Sequence, residues 1–399
     1  MKHYKLSFQQ EEMWLAEQFY SQGSLFVIGG YLQLGEDIDI NLYSDAVQME
    51  LNARQSYRAR ISVDEDGLPY QVFEHSKKFK KRMVLDLDSE EAALKWMDKQ
   101  MNIAMFCDAD SLVEFAVLQA GEDKYFFLKV HHILSDYWGI NILLADIFSR
   151  YEMLLRKEKV EPTCYKYSDY IDAQLEYLDS LSYKKDKLYW ESAIDNVNKY
   201  KNIFSVDNEC SSPSKIISFE VDNLKKKMID SYAKNNNVSS FVVWSYIVGE
   251  ILRQETDNDN YTIGAHFLNR TNSKQKHTAG LFVNTLPIKI DKDKGLHGVS
   301  ESIKNAFRHQ RFPMRKIPET DNLYEVVVSY RSYNNQKKIF GEVYPFPLKS
   351  KESSYPIEVY VTDQNEFFNI EFVCQRYVND KYVADIIAKI RQLINKLAV

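Results

Sequence analysis

Two histidines stand side by side at His131-His132, and Asp136 follows four residues after the second. Histidine is the side chain that exchanges a proton near neutral pH. A cleft-facing imidazole here can accept the proton of an amine or hydroxyl as that group attacks a thioester carbonyl. General-base help of this kind contributes on the order of 10²–10⁴ in rate, and a nearby carboxylate can hold the imidazole or its loop in place. The pair falls at the end of a predicted strand, so the two rings should point to opposite faces, one toward a cleft and one inward. The residues alone leave other readings open. A histidine pair at a strand end also serves plain packing, and Asp136 also suits a helix N-cap. A metal site fits less well, because the rings diverge and one aspartate does not complete a standard ligand set.

The elements around the motif are legible. Leu112–Leu118 and Tyr125–Val130 read as a hairpin turning at Gly121-Glu122-Asp123. After a short loop, apolar residues from Ile140 to Leu155 recur at helical spacing. Upstream, Phe8–Phe19 predicts a helix, Leu25–Leu34 a strand and Asp37–Leu51 a helix. Tyr165–Ile194 reads as one helix, and Asp195–Lys215, broken by Ser211-Ser212-Pro213, as a linker. Beyond it, helices are expected over Val238–Gln254, Ser300–His309 and Val383–Leu397. Strands are expected over Tyr261–Phe267, Leu323–Tyr330, Pro356–Thr362 and Phe367–Gln375, and Leu281–Ile290 is an extended apolar stretch. The mixed order predicts an α+β fold in two lobes, 1–194 and 216–399, joined by 195–215.

At 399 residues the chain is long enough for two domains of roughly 200 each. Apolar residues make up 45%, which supplies buried cores and argues against disorder. The net charge of -6 and the absence of long basic runs argue against a nucleic-acid partner; Lys225-Lys226-Lys227 reads as a solvated helix face. Cys107, Cys164, Cys210 and Cys374 form no C-x-x-C pair, so neither a zinc knuckle nor a disulfide scaffold is indicated. No signal peptide and no apolar run near the ~20 residues of a membrane span is visible. A cytoplasmic protein in a reducing compartment is expected.

His131-His132-Ile133-Leu134-Ser135-Asp136-Tyr137-Trp138 resembles the HHxxxDG signature of condensation domains of nonribosomal peptide synthetases, within the chloramphenicol-acetyltransferase-like superfamily. Other landmarks follow in family order. Leu6–Trp14 resembles the opening motif, and Tyr57-Arg58-Ala59-Arg60 the LRTxF segment. Lys166–Tyr170 and Tyr189-Trp190 resemble mid-chain landmarks. Gly280–Pro287 resembles GxFVNTLP, and His309–Pro313 the HxxYP segment.

The resemblance implies two such lobes in a V-shaped arrangement with a central tunnel and the His motif at its middle. Carrier proteins would deliver acyl donor and amine acceptor on phosphopantetheine arms, and an amide would form, with no cofactor or metal bound by the chain itself. It implies that His132 is catalytic, that His131 and Asp136 are structural, and that Asp136 pairs with Arg58. Ser135, Tyr137, Trp138 and Asn284 would line the tunnel. The chain departs from the pattern at Tyr137, where the family has Gly, at Arg54-Gln55 in place of His-Glu, and at Pro356 in place of Asp. A free-standing monomeric enzyme is expected. Its alternatives are an ester- or amide-forming relative using a free small-molecule acceptor, a degenerate partner-recruiting domain, and an epimerising relative.

Overall fold

The computed structural model describes residues 2–19, 25–158, 164–194, 215–317, 323–332, 346–349 and 353–396. Over the first half the elements are β1 (Tyr4–Lys5), α1 (Phe8–Phe19), β2 (Val27–Leu34), α2 (Ile40–Ala53), β3 (Ala59–Val63), β4 (Pro69–Phe73), β5 (Lys80–Leu87), α3 (Glu90–Met101), β6 (Val113–Ala120), β7 (Asp123–His131), α4 (Tyr137–Leu155) and α5 (Tyr167–Leu178). The second half adds α6 (Leu181–Ile194), β8 (Lys215–Val221), α7 (Asn223–Asn235), α8 (Ser240–Glu255), β9 (Asn260–Phe267), a one-turn α9 (Ser273–Lys276), β10 (Asn284–Asp291), α10 (Gly295–Arg308), β11 (Val326–Ser332), β12 (Phe346–Lys349), β13 (Ile357–Asp363), β14 (Phe368–Cys374) and α11 (Asp380–Lys396).

Two compact units result. The first gathers Met1–Ser180, Leu268–Val283 and the stretch holding β12; the second gathers Leu181–Phe267, Asn284–Asn335 and Lys351–Val399. The expected lobe boundary at Ile194 therefore lies earlier, and two later segments return to the first unit. The cause of the early break is local. Ser180 turns back on the end of α5, its backbone N–H and hydroxyl both donating to Tyr177 O (3.0 and 2.7 Å), a side-chain bond that competes with helix continuation. The expected single helix Tyr165–Ile194 is thus two, and Trp190 of α6 is buried in the core of the second unit. The expected linker lies outside the described residues apart from Lys215, as does Cys210.

In the first unit a five-stranded sheet runs β12-β2-β7-β6-β5, with β7 at its centre, beside a three-stranded sheet β1-β4-β3. The central place of β7 explains its near-continuous run Tyr125-Phe126-Phe127-Leu128, buried on both faces. The second unit holds a six-stranded sheet, β10-β9-β11-β13-β14-β8, packed on α7, α8, α10 and α11 around Trp244, Ile247, Val299, Val359 and Ile390. In α7 the middle residue of the lysine run corrects the expectation of a solvated face. Lys226 is buried, pairs with Asp230 (2.7 Å) and Asp363 (3.1 Å), and lies 4.4 Å over the Phe368 ring. Helix α3 was not expected, although Ser89 caps it and Glu90-Glu91 occupy its first turn, an ordinary helix start.

Candidate active site

Strand β7 delivers the motif. His131 ends the strand with its N–H donating to Leu112 O (2.9 Å), and His132 opens a single tight turn with its N–H donating to Phe26 O (2.7 Å). The two imidazoles part there: His131 is completely buried and His132 half-buried.

Both nitrogens of the His131 ring are engaged. Nδ1 accepts the Ile133 N–H (3.1 Å), and Nε2 lies 2.9 Å from Glu17 Oε1 on α1. Helix α1 begins with a reciprocal cap, Ser7 N–H to Gln10 Oε1 (2.9 Å) and Gln10 N–H to Ser7 Oγ (3.2 Å), the S-x-x-Q pattern of a capping box. Gln10 also donates from Nε2 to Ile133 O (2.9 Å). The opening landmark of the sequence is thus a brace for the histidine turn.

Asp136 is the N-cap of α4 and accepts five hydrogen bonds. Gly139 N–H (2.8 Å) and Arg270 Nη2 (2.9 Å) reach Oδ1; Arg270 Nη1 (2.6 Å), Phe282 N–H (2.9 Å) and Val283 N–H (3.1 Å) reach Oδ2. Burial alone would raise this carboxyl, but the charge and hydrogen bonds of Arg270 and the backbone N–H groups outweigh it and hold the group below its ordinary range. Arg270 further donates to Gly280 O (3.2 Å) and lies 4.1 Å over the Phe282 ring. The carboxylate therefore clamps both ends of the 268–283 segment onto the start of α4.

The expected Asp136–Arg58 pair is not formed. Arg58 closes the turn before β3, and its guanidinium donates to the carbonyls of Glu74 and His75, which binds it to the end of β4. Ser135 and Asn284, expected to line a tunnel, are interior residues of their own units. The Tyr57 hydroxyl donates to Ser135 Oγ (3.0 Å) in the first. In the second, Asn284 Nδ2 donates to Gln310 O (2.8 Å) and Phe312 O (3.0 Å), tying the last sequence landmark to β10. Tyr137 and Trp138 are half-buried, and Trp138 Nε1 donates to Lys276 O (2.9 Å).

Tyr137 in place of the family glycine costs no backbone strain, because it sits at the first position of α4 and is not among the positive-φ residues. The close approach falls instead at Gly139 and Gly280. A Cβ on Gly139 would lie 2.3 Å from Ser135 Oγ, and one on Gly280 would lie 2.2 Å from the Tyr167 ring. Arg54 and Gln55, which replace the family's His-Glu, are absorbed into packing. Arg54 pairs with Glu50 and Asp146, and Gln55 Oε1 accepts the Ser168 N–H (2.8 Å) that opens α5. Residues 189–190 and 309 also meet, with the Tyr189 and His309 rings stacked at 4.1 Å and Trp190 Nε1 donating to His309 O (3.1 Å).

His132 stands apart from this bonding. Its Nδ1 is buried and has no partner in hydrogen-bond geometry among the described residues. Burial holds the imidazole below the ordinary histidine range; the carbonyls of His132 and Ser135 and the Asp136 charge pull the other way without reversing it. Burial thus favours the neutral ring, the form that can accept a proton, on a turn fixed from both sides. Arg270, Glu17 and Gln10 were missed by sequence reading. Only Gln10 carried a local signal, the capping spacing from Ser7.

The sequence profile of the Condensation domain family matches residues 1–398. Surfactin synthase subunit 1 of Bacillus subtilis (strain 168) is 24% identical over 387 residues, 90% of this chain and 11% of that protein. Bacitracin synthase 3 of Bacillus licheniformis is 24% identical over 330 residues, 80% of this chain and 5% of that protein. The chain thus spans about a tenth or less of the length of these curated relatives. Among solved structures, the first condensation domain of the CDA synthetase matches with a TM-score of 0.83 at 18% identity, covering 100% of this chain and 96% of that one. The condensation domain of the monacolin K polyketide synthase MokA matches at 0.84 and 16% identity, covering 100% and 99%. The α+β units described above are therefore a condensation-domain fold, and the chain belongs to the condensation domain family.

Proposed function

We propose that this chain is an acyltransferase that joins a carrier-bound acyl thioester donor to an amine acceptor as an amide, in nonribosomal peptide biosynthesis. The observation that carries the reading is His132: a half-buried imidazole whose neutral form burial favours, with Nδ1 left unbonded on a turn braced by Gln10, Glu17 and Asp136. The acceptor amine attacks the thioester carbonyl carbon, forming the C–N bond. His132 accepts the proton that the amine nitrogen sheds. The C–S bond breaks, and the departing thiolate takes up a proton as the free thiol of the phosphopantetheine arm. That arm arrives as part of the substrate, so the chain needs no resident cofactor. A cytoplasmic monomer working with separate or fused carrier proteins fits this reading. No helix among the described residues is long and apolar enough to cross a membrane.

The test is product formation. The chain is incubated with acyl-loaded carrier protein and a panel of aminoacyl acceptors, both carrier-bound and as N-acetylcysteamine thioesters, and products are weighed by mass spectrometry. An amide on the acceptor supports the reading. Transfer to alcohols alone, or no transfer from any donor while carrier protein still binds, would overturn it.

A further inference from the structure

The inward-facing His131 is gripped by the carboxylate of Glu17. Glu17 lies on α1, seven residues after Gln10, so both project from one face of that helix. Gln10 holds Ile133 O (2.9 Å), and Glu17 Oε1 meets His131 Nε2 (2.9 Å). The second oxygen of Glu17 accepts the Cys107 N–H (2.9 Å). The Glu17 side chain is only 9% exposed. Burial works to raise its carboxyl, but the hydrogen bonds from His131 and Cys107 hold it below the ordinary range.

We propose that Glu17 is a positioning residue for the proton chemistry of His132, acting through the ring of His131. The inference rests on the reading of His132 as the proton acceptor. A neutral imidazole has one donor and one acceptor nitrogen. Because Nδ1 of His131 accepts the Ile133 N–H, the ring proton sits on Nε2 and is donated to Glu17. The other tautomer would set two N–H groups against each other at Ile133 and a lone pair against a carboxylate. His131 is the residue before His132 and its ring grips the residue after, so the tautomer that Glu17 selects holds the His132 backbone on both sides. Glutamine cannot replace Glu17. The site demands an acceptor for His131 and another for Cys107, and an amide supplies only one.

The experiment pairs nitrogen NMR of the histidine rings with steady-state kinetics, using the loaded donor and acceptor pair that the wild-type chain joins. In the wild type, His131 should show the Nε2–H tautomer; an Nδ1–H ring would overturn the proposal without any variant. In Glu17→Gln the His131 signal should shift toward mixed tautomers. There kcat should fall by about tenfold to a hundredfold, the loss expected from a misplaced catalytic group, with KM for both substrates within about twofold. A core variant of the second unit, Ile390→Val, adjusted in temperature to the same folded fraction, should keep its kcat. Unchanged kcat in Glu17→Gln, or an equal loss in the core variant, would overturn the proposal. Retained turnover in His132→Ala would sink the reading of His132 instead, while the wild-type tautomer would still report on the Glu17–His131 contact.

Discussion

Each unit contains a hairpin that runs into a long helix through a short junction, and the two junctions differ in what they bury. In the first unit β6–β7 leads through His131–Asp136 into α4; in the second, β13–β14 leads through Gln375–Asn379 into α11. Both junctions cap their helices. Asn379 Oδ1 accepts the N–H groups of Lys381 (2.9 Å) and Tyr382 (3.3 Å) at the surface, while Gln375 donates to Ser353 O (2.8 Å). Asp136 performs the same capping while buried, carries a charge and draws in Arg270. The architecture of strand, turn and helix is therefore common to both. What distinguishes the first junction is a buried ion pair and an imidazole left partly unbonded.

The largest effect that separates them should come from Asp136→Ala. It strands Arg270 as a buried unpaired cation, and breaking such a pair costs about 3–5 kcal/mol. Chemical denaturation should show that loss in the transition of the first unit; a change under about 1 kcal/mol would place the pair on a par with surface ion pairs. The same carboxylate gives a signed pH effect. Its folded pKa is lowered, so its contribution is fully present above the ordinary aspartate range near 3.9 and is lost as pH falls through the lower folded value. The stability gap between wild type and Asp136→Asn should therefore narrow on acidification, and a gap independent of pH would contradict the assignment. Gly280→Ala should cost about 1–3 kcal/mol through the collision with the Tyr167 ring. Asn379→Ala, at the plain junction, should cost only about 1 kcal/mol, the ordinary worth of a cap. Tyr137→Gly should change stability by no more than about 1 kcal/mol, the helix-propensity difference. A large gain in stability or rate would show that the tyrosine strains the turn after all.

The sequence made the first junction legible to the extent that its cues were local. Strand alternation separated His131 from His132, and the apolar spacing of Ile140–Leu155 announced α4. The clamp on Asp136 was not legible. Its partner, Arg270, lies 134 positions away, and no periodicity reports such a pairing. The family resemblance implied Arg58 in its place, but that guanidinium is drawn to carbonyls at the end of β4. Glu17 was hidden for the same reason, since only the fold brings α1 beside the end of β7. The helix break at Ser180 escaped because it uses a serine hydroxyl rather than glycine or proline.

The central claim is that His132 accepts the acceptor's proton, and the single-turnover rate of amide formation across pH tests it most directly. The lowered pKa of the ring predicts a wild-type rate that rises through a midpoint below about 6.5, the ordinary histidine value, and levels off above it. In His132→Ala the rate should fall by about 10²-fold or more, and that acid limb should vanish. A variant that keeps both the rate and the limb would contradict the account.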